Sequence, residues 1–126
     1  MKDVNQLLER AKEILDELDL EYCKRIKLKV SSRMTRRWGC AVALTWYSYE
    51  ITINDALLQD NVADIDALNV MVHELLHCHY DHHGHRGRWL TCAKKVTKAY
   101  PELPITRTWD IENVTYDHRK ARKKST

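Results

Sequence analysis

Apolar residues recur at helical spacing in three stretches of the chain. In residues 4–18 they form one stripe and acidic residues fill many of the other positions, which predicts an amphipathic N-terminal helix. In a second stretch, Asn61 followed by Asp64 resembles a helix start, and the helical spacing continues through His77. A third runs over residues 89–100 and stops at Pro101, which cannot continue a helix. We therefore predict three helices, the last of which covers the second.

Between the first two helices the spacing changes to a pattern typical of β-strands. Residues 25–30 alternate basic and apolar side chains, residues 39–47 are apolar and aromatic, and residues 50–54 alternate with isoleucine inward. The links between these stretches are short, so an antiparallel or mixed sheet is simpler than a doubly wound one. The predicted fold class is α+β, with about three strands beside the helices.

Length and cysteine spacing are those of one small domain in a reducing compartment. We assign residues 1–104 of the 126 to the folded domain, and residues 105–126 to a basic C-terminal extension from which Trp109 and Ile111 can dock. The four cysteines are widely spaced and form no C-x-x-C pair, which is typical of free thiols. The start lacks a leader pattern, and no stretch approaches the ~20 apolar residues of a membrane span. We expect a soluble cytoplasmic protein with no membrane partner.

The chemistry is concentrated in the segment HELLHCHYDHHGH, residues 73–85, which opens with H-E-x-x-H on the predicted second helix. Four residues turn a helix by about 400°, so His73 and His77 project from one face and can reach one ion. Zinc binds imidazole nitrogen, and catalytic zinc sites hold three protein ligands and one open position. Glu74 lies beside that position, where it can take a proton from a water molecule that the metal activates.

The third ligand has several candidates. Four more histidines follow within eight residues of His77: His79, His82, His83 and His85. His79 would face away from His77 if the helix continued. His83 has the separation of the metzincin pattern, but Tyr80 stands where that pattern has its glycine. Gly84 can turn the chain back toward the ion, so we favour His85 and leave His82 and His83 open.

These residues carry a resemblance to a known family. His73, Glu74 and His77, together with His85 four residues before Trp89, resemble the active-site segment of the SprT-like zinc metallopeptidases, which are related to the protease domain of Spartan. Upstream, RMTRRWGCAVAL at 33–44 and YEITIN at 49–54 are similar to the family's strand region. The resemblance implies a small single-domain zincin-like fold, a Zn²⁺ cofactor and a protein or peptide substrate.

Basic residues are concentrated in parts of the chain, although the net charge is only +3. Residues 23–48 contain seven basic residues and no acidic one: Lys24, Arg25, Lys27, Lys29, Arg33, Arg36 and Arg37. Residues 86–98 are also free of acids, and residues 119–124 add five more bases. Such a surface attracts nucleic acid or acidic peptides, although a merely solvated face has the same composition.

Three function classes are compatible with these features. The leading one is a zinc metallopeptidase of the H-E-x-x-H type, with DNA-associated proteins as a candidate substrate class. The alternatives are a zinc-stabilised nucleic-acid-binding module without catalysis, and a repressor-cleaving regulatory protease resembling the ImmA/IrrE group. For the peptidase, Tyr49, Tyr80 and Arg88 are candidates to stabilise the developing oxyanion. The pattern of residues does not indicate an oligomeric state.

Overall fold

The computed structural model describes residues 1–34, 37–84 and 86–105 and shows the predicted α+β fold. The elements within those residues follow in this order: α1 (Val4–Glu17), β1 (Ile26–Ser31), β2 (Gly39–Thr45), β3 (Ser48–Asn54), a short 3₁₀ helix (Asp55–Leu58), α2 (Asp64–Leu76) and α3 (Arg88–Ala99). In this part of the chain, none of the helices combines the length and the apolar character that crossing a membrane requires.

Helix α1 begins and ends close to the predicted positions. The Asp3 carboxylate caps its first turn by accepting hydrogen bonds from the backbone N–H groups of Asn5 (2.9 Å) and Gln6 (3.3 Å). Beyond the C-cap Leu18, the chain turns at Asp19, which adopts a left-handed φ of 55°. The apolar stripe of α1 is buried and packs on α2, as the spacing predicts.

The sheet is mixed, with strand order β1-β3-β2. Strand β3 lies in the centre, parallel to β1 and antiparallel to β2, so Ile51 pairs with Leu28 on one side and with Ala41 on the other. Ile51 and Ile53 are fully buried against the helices. The centre of the sheet is thus the strand whose inner face is most apolar.

One boundary of the predicted sheet is wrong. The sequence predicts a strand through Tyr47, but β2 ends at Thr45, and Trp46 and Tyr47 form the turn of a hairpin. Trp46 is 95% exposed. Aromatic residues favour strands by propensity, but these two lie at the tip of the hairpin. The pairing of Thr45 with Ser48 leaves only these two residues for the turn.

Helix α2 lies at the centre of the molecule and contacts α1, α3 and both strands of the hairpin. Every residue from Asn69 to Cys78 is buried. The helix ends at Leu76, and His77 is its C-cap, still in right-handed helical conformation. The face of α2 that looks polar in the sequence is therefore also buried between Asn69 and Cys78.

Helix α3 follows a turn at Gly87, whose φ of 60° favours glycine, and ends immediately before Tyr100 and Pro101. The chain then folds back on α3. The Thr97 hydroxyl donates a hydrogen bond to the Leu103 carbonyl (2.8 Å) and accepts one from the Ile105 N–H (3.1 Å). The predicted division into 1–104 and 105–126 stays a prediction, because residues 106–126, including Trp109 and Ile111, lie outside the described residues.

Candidate metal centre

The two histidines of the H-E-x-x-H motif converge at the end of α2. The Nε2 atoms of His73 and His77 are 3.3 Å apart, and both side chains are buried. Two nitrogens bound to one tetrahedral zinc at ~2.0–2.1 Å are separated by about 3.3–3.4 Å. The spacing of the two imidazoles therefore fits a shared metal ion.

A backbone carbonyl determines which ring nitrogen of His77 carries the hydrogen. His77 Nδ1 lies 2.8 Å from the carbonyl oxygen of His82, and a carbonyl only accepts, so Nδ1 carries the hydrogen. In a neutral imidazole the lone pair is then on Nε2, which is the state a metal ligand needs. The loop after α2 thus orients His77 for metal binding.

His82 itself has a structural position. Its Nδ1 donates to the carbonyl of Leu76 (3.0 Å), and its ring stacks on His79 with centroids 4.3 Å apart. Burial, with a further contribution from His79, lowers the pKa of His82 and favours its neutral form. The side chain therefore anchors the loop whose carbonyl group holds His77.

Trp89 from α3 packs on both imidazoles. Its ring is stacked on His77 (centroids 5.1 Å apart, interplanar angle 12°) and meets His73 edge-on at 4.8 Å. Its indole Nε1–H donates to the backbone carbonyl of His73 at 3.4 Å. Trp89 therefore supports both histidines of the motif from α3.

Glu74 lies on the side of α2 that faces strand β2. Burial raises the pKa of its carboxyl to about 8, and the positive charge of Arg37 partly offsets this rise. Gly39 provides the room that the carboxylate occupies. A methyl group at Gly39 would come within 3.0 Å of Glu74 Cγ, 3.1 Å of its Oε2 and 3.2 Å of Val70 Cγ1.

His73, Glu74 and His77 form a group of possible metal ligands whose ligand atoms all lie within 4.8 Å of one another. Residues 4–109 match the family model described as SprT-like family. The chain belongs to the SprT-like family. This family is associated with metallopeptidase-like domains, and the small α+β fold with H-E-x-x-H on its central helix is consistent with a zincin-like fold. No curated protein matches the chain.

The structure separates two of the remaining histidines from this SprT-like site. Among the described residues, neither His82 nor His83 joins the group formed by the motif. A partly buried hydrogen bond of 2.5 Å joins His83 Nε2 to the hydroxyl of Tyr49. The predicted third ligand, His85, lies outside the described residues, so its assignment stays a prediction.

The oxyanion candidates have other contacts in the described part of the chain. The Tyr49 hydroxyl is paired with His83, and Arg88 lies 3.4 Å from a carboxylate oxygen of Asp81. The ring of Tyr80 is exposed and stacks on His79, with centroids 4.5 Å apart. Their role in stabilising an oxyanion stays a prediction.

Sequence reasoning did not identify Gly39 or the His82 carbonyl as parts of the site. Gly39 has a weak signal, because a glycine at the start of a strand often marks the close approach of another group. The His82 carbonyl has no signal in the sequence, since every residue carries a backbone carbonyl group.

Proposed function

We propose that the protein is a zinc-dependent metallopeptidase in which His73, His77 and His85 hold the metal and Glu74 is the general base. The proposal depends mainly on one observation, the 3.3 Å separation of the two Nε2 atoms beside a buried carboxylate. Membership of the SprT-like family supports it. When bound, zinc would act as a Lewis acid that activates water for attack on a peptide carbonyl.

The chain's own residues supply the proton transfer and the positioning. Glu74 takes a proton from the attacking water and delivers it to the leaving nitrogen, and its buried position beside His73 and His77 places it where both transfers occur. Gly39 leaves the carboxylate its space, and Trp89 and the His82 carbonyl hold the imidazoles. Rigid support of this kind keeps the reacting groups aligned.

The proposed substrates are proteins, including proteins bound to DNA. Lys27 and Lys29 are exposed on β1, and Lys94 and Lys95 are exposed on α3, so both elements present positive charge to solvent. Contacts between such side chains and phosphates are independent of base sequence and weaken with salt. We include a cytoplasmic location in the proposal, supported by four cysteines that are all free thiols.

The central test is Glu74→Gln. The substitution removes the base but keeps the size of the side chain, so we expect zinc binding to persist while hydrolysis of an unstructured protein such as casein falls roughly 10²- to 10⁴-fold. Zinc content by mass spectrometry and cleavage rate are the two measurements. Glu102→Gln is the matched control, since Glu102 is exposed and should leave both unchanged. Unaltered cleavage by Glu74→Gln would refute the mechanism.

The exposed lysines of β1 and α3 also support a second candidate, a zinc-stabilised nucleic-acid-binding module. This candidate predicts salt-sensitive binding to DNA and no proteolysis at any zinc loading. The peptidase predicts proteolysis that a chelator abolishes and added zinc restores. Measuring both properties on one preparation distinguishes the two functions.

A further inference from the structure

The tip of the β2–β3 hairpin presents aromatic side chains to solvent. Trp46 is 95% exposed and Tyr47 is 63% exposed. A hydrogen bond of 2.6 Å between the hydroxyls of Thr45 and Ser48 closes the hairpin beneath them. Exposed tryptophan and tyrosine are characteristic of contact surfaces, because their large rings bury much apolar area on binding and lose little side-chain conformational entropy.

These rings line a cleft of about 580 Å³. The segment that joins α1 to β1, residues 19–24, and Asp16 near the end of α1 line the same cleft, together with Tyr49, His79 and Tyr80. Three carboxylates and a single ammonium group line the cleft: Asp16, Asp19 and Glu21 against Lys24. The cleft therefore combines aromatic faces with an excess of negative charge.

Contacts at the cleft and beside it indicate the chemistry that it accepts, because Lys24 in the cleft and Arg25 next to it both lie over aromatic rings. Lys24 Nζ lies 3.8 Å from the ring centroid of Tyr22 and 3.3 Å from the Asp16 carboxylate. Arg25 Cζ lies 5.4 Å from the ring centroid of Tyr47. Cations are attracted both to aromatic faces and to carboxylates. Trp46, the best acceptor for such a contact, remains almost wholly open to solvent.

We propose that this cleft, which we call the hairpin cleft, binds an arginine or lysine side chain of another polypeptide, held between Trp46 and the carboxylates of Asp19 and Glu21. The cleft is lined in part by His79, two residues after His77, so a polypeptide bound there lies beside the end of α2. The binding itself requires neither metal nor catalysis.

The test uses the full chain carrying Glu74→Gln, so that a bound peptide is not cleaved. The probe is a short peptide, blocked at both ends, that contains two arginines, and its control carries citrulline, which keeps the shape without the charge. Titrations of every variant are followed by calorimetry, and those of chains that keep Trp46 also by NMR at its indole N–H, assigned by the loss of this signal in Trp46→Ala. We expect the arginine peptide to shift this signal and to bind roughly tenfold more tightly than the citrulline peptide.

Two variants locate the binding. Trp46→Ala should weaken binding of the arginine peptide roughly fivefold without changing the unfolding temperature, because so little of the side chain is buried. Asp19→Asn should weaken it roughly twofold, and asparagine tolerates the left-handed φ of this position. Ile65→Ala and Glu102→Gln change an exposed apolar and an exposed acidic side chain elsewhere and should have no effect.

Three outcomes would overturn the proposal. They are equal affinity for the two peptides, absence of binding up to millimolar peptide, and unchanged binding in Trp46→Ala. Concentration-dependent dimerisation that Trp46→Ala abolishes would also overturn it and would assign the surface to a second copy of the chain. Since binding is measured without proteolysis, these results are separate from failure of the peptidase proposal.

Discussion

Glu74 and Gly39 show how a single residue without a side chain can shape the candidate metal centre. The Glu74 carboxyl is buried and lies against the first residue of β2, Gly39, at the position where any other residue would place a Cβ. Interiors are close-packed, so an added methyl group must displace its neighbours. Gly39 therefore determines where the carboxylate can lie.

Gly39→Ala is predicted to reduce peptidase activity roughly tenfold or more while leaving zinc affinity near that of the parent. The nearest atoms to the added methyl belong to Glu74 and Val70, so the base is displaced, and a misplaced catalytic group loses rate steeply. Overpacking should also cost about 1–3 kcal/mol of stability. Cleavage kinetics, competition with a zinc chelator and urea unfolding measure the three effects.

The control for this substitution is Val42→Ala, on the exposed side of the same strand, which should alter none of the three quantities. If Gly39→Ala cleaved substrate at the parent's rate, the position of the carboxylate would not depend on the glycine.

At the scale of elements, the important contact is that of α3 with α2. Helix α3 brings Trp89 over both imidazoles, and α1 and the hairpin cover the rest of α2. The motif helix therefore lies in the interior, although its sequence pattern is that of a helix with one polar side. Burial in turn raises the pKa of Glu74 and strengthens each polar contact around the metal ligands.

Substitutions of Trp89 should separate packing from hydrogen bonding. Trp89→Ala removes a fully buried ring, so we expect a loss of about 3–5 kcal/mol in the free energy of unfolding and roughly tenfold weaker zinc binding. Trp89→Phe keeps an aromatic ring near His77 but loses the hydrogen bond to the His73 carbonyl. It should lower the free energy of unfolding and the zinc affinity less than Trp89→Ala does.

Denaturant unfolding of the metal-free protein and a zinc competition assay measure these effects. Lys94→Ala, exposed on the same helix, is the control. Parent-like zinc affinity in Trp89→Ala would show that the stacked ring does not support the ligands.

At the scale of the whole molecule, the segment after α3 completes the core. Leu103 and Ile105 are buried with residues of the three helices and the sheet in one apolar cluster. Thr97 on α3 is hydrogen-bonded to both. The body thus includes residues beyond the last helix, and their packing should contribute to the stability of the whole domain.

Leu103→Ala is predicted to destabilise the full chain by about 2–4 kcal/mol, since it leaves a cavity in this cluster. Urea unfolding measures the loss, and Glu102→Ala, an exposed neighbour, should change stability little. A negligible effect of Leu103→Ala would mean that the segment is peripheral to folding.

Local patterns were sufficient to predict the helices, a sheet that is antiparallel or mixed, and the H-E-x-x-H group. Spacing alone places His73 and His77 on one side of a helix, because helical geometry is the same in every protein. Propensity was misleading at Trp46 and Tyr47, where aromatic residues form a turn. The resemblance to SprT-like proteins, based on His73, Glu74 and His77, is confirmed by the match over residues 4–109.

The amino-acid sequence by itself determined the H-E-x-x-H group of His73, Glu74 and His77 and which segments form helices and strands, since both depend on spacings of a few residues. Only the tertiary structure decided the parallel pairing of β1 with β3, the burial of Glu74 against Gly39, the support of His77 by the His82 carbonyl and the stacking of Trp89. Most of these contacts join residues distant along the chain, and the carbonyl contact uses a backbone group that every residue has. No local pattern encodes them, because they arise when separate elements pack into one core.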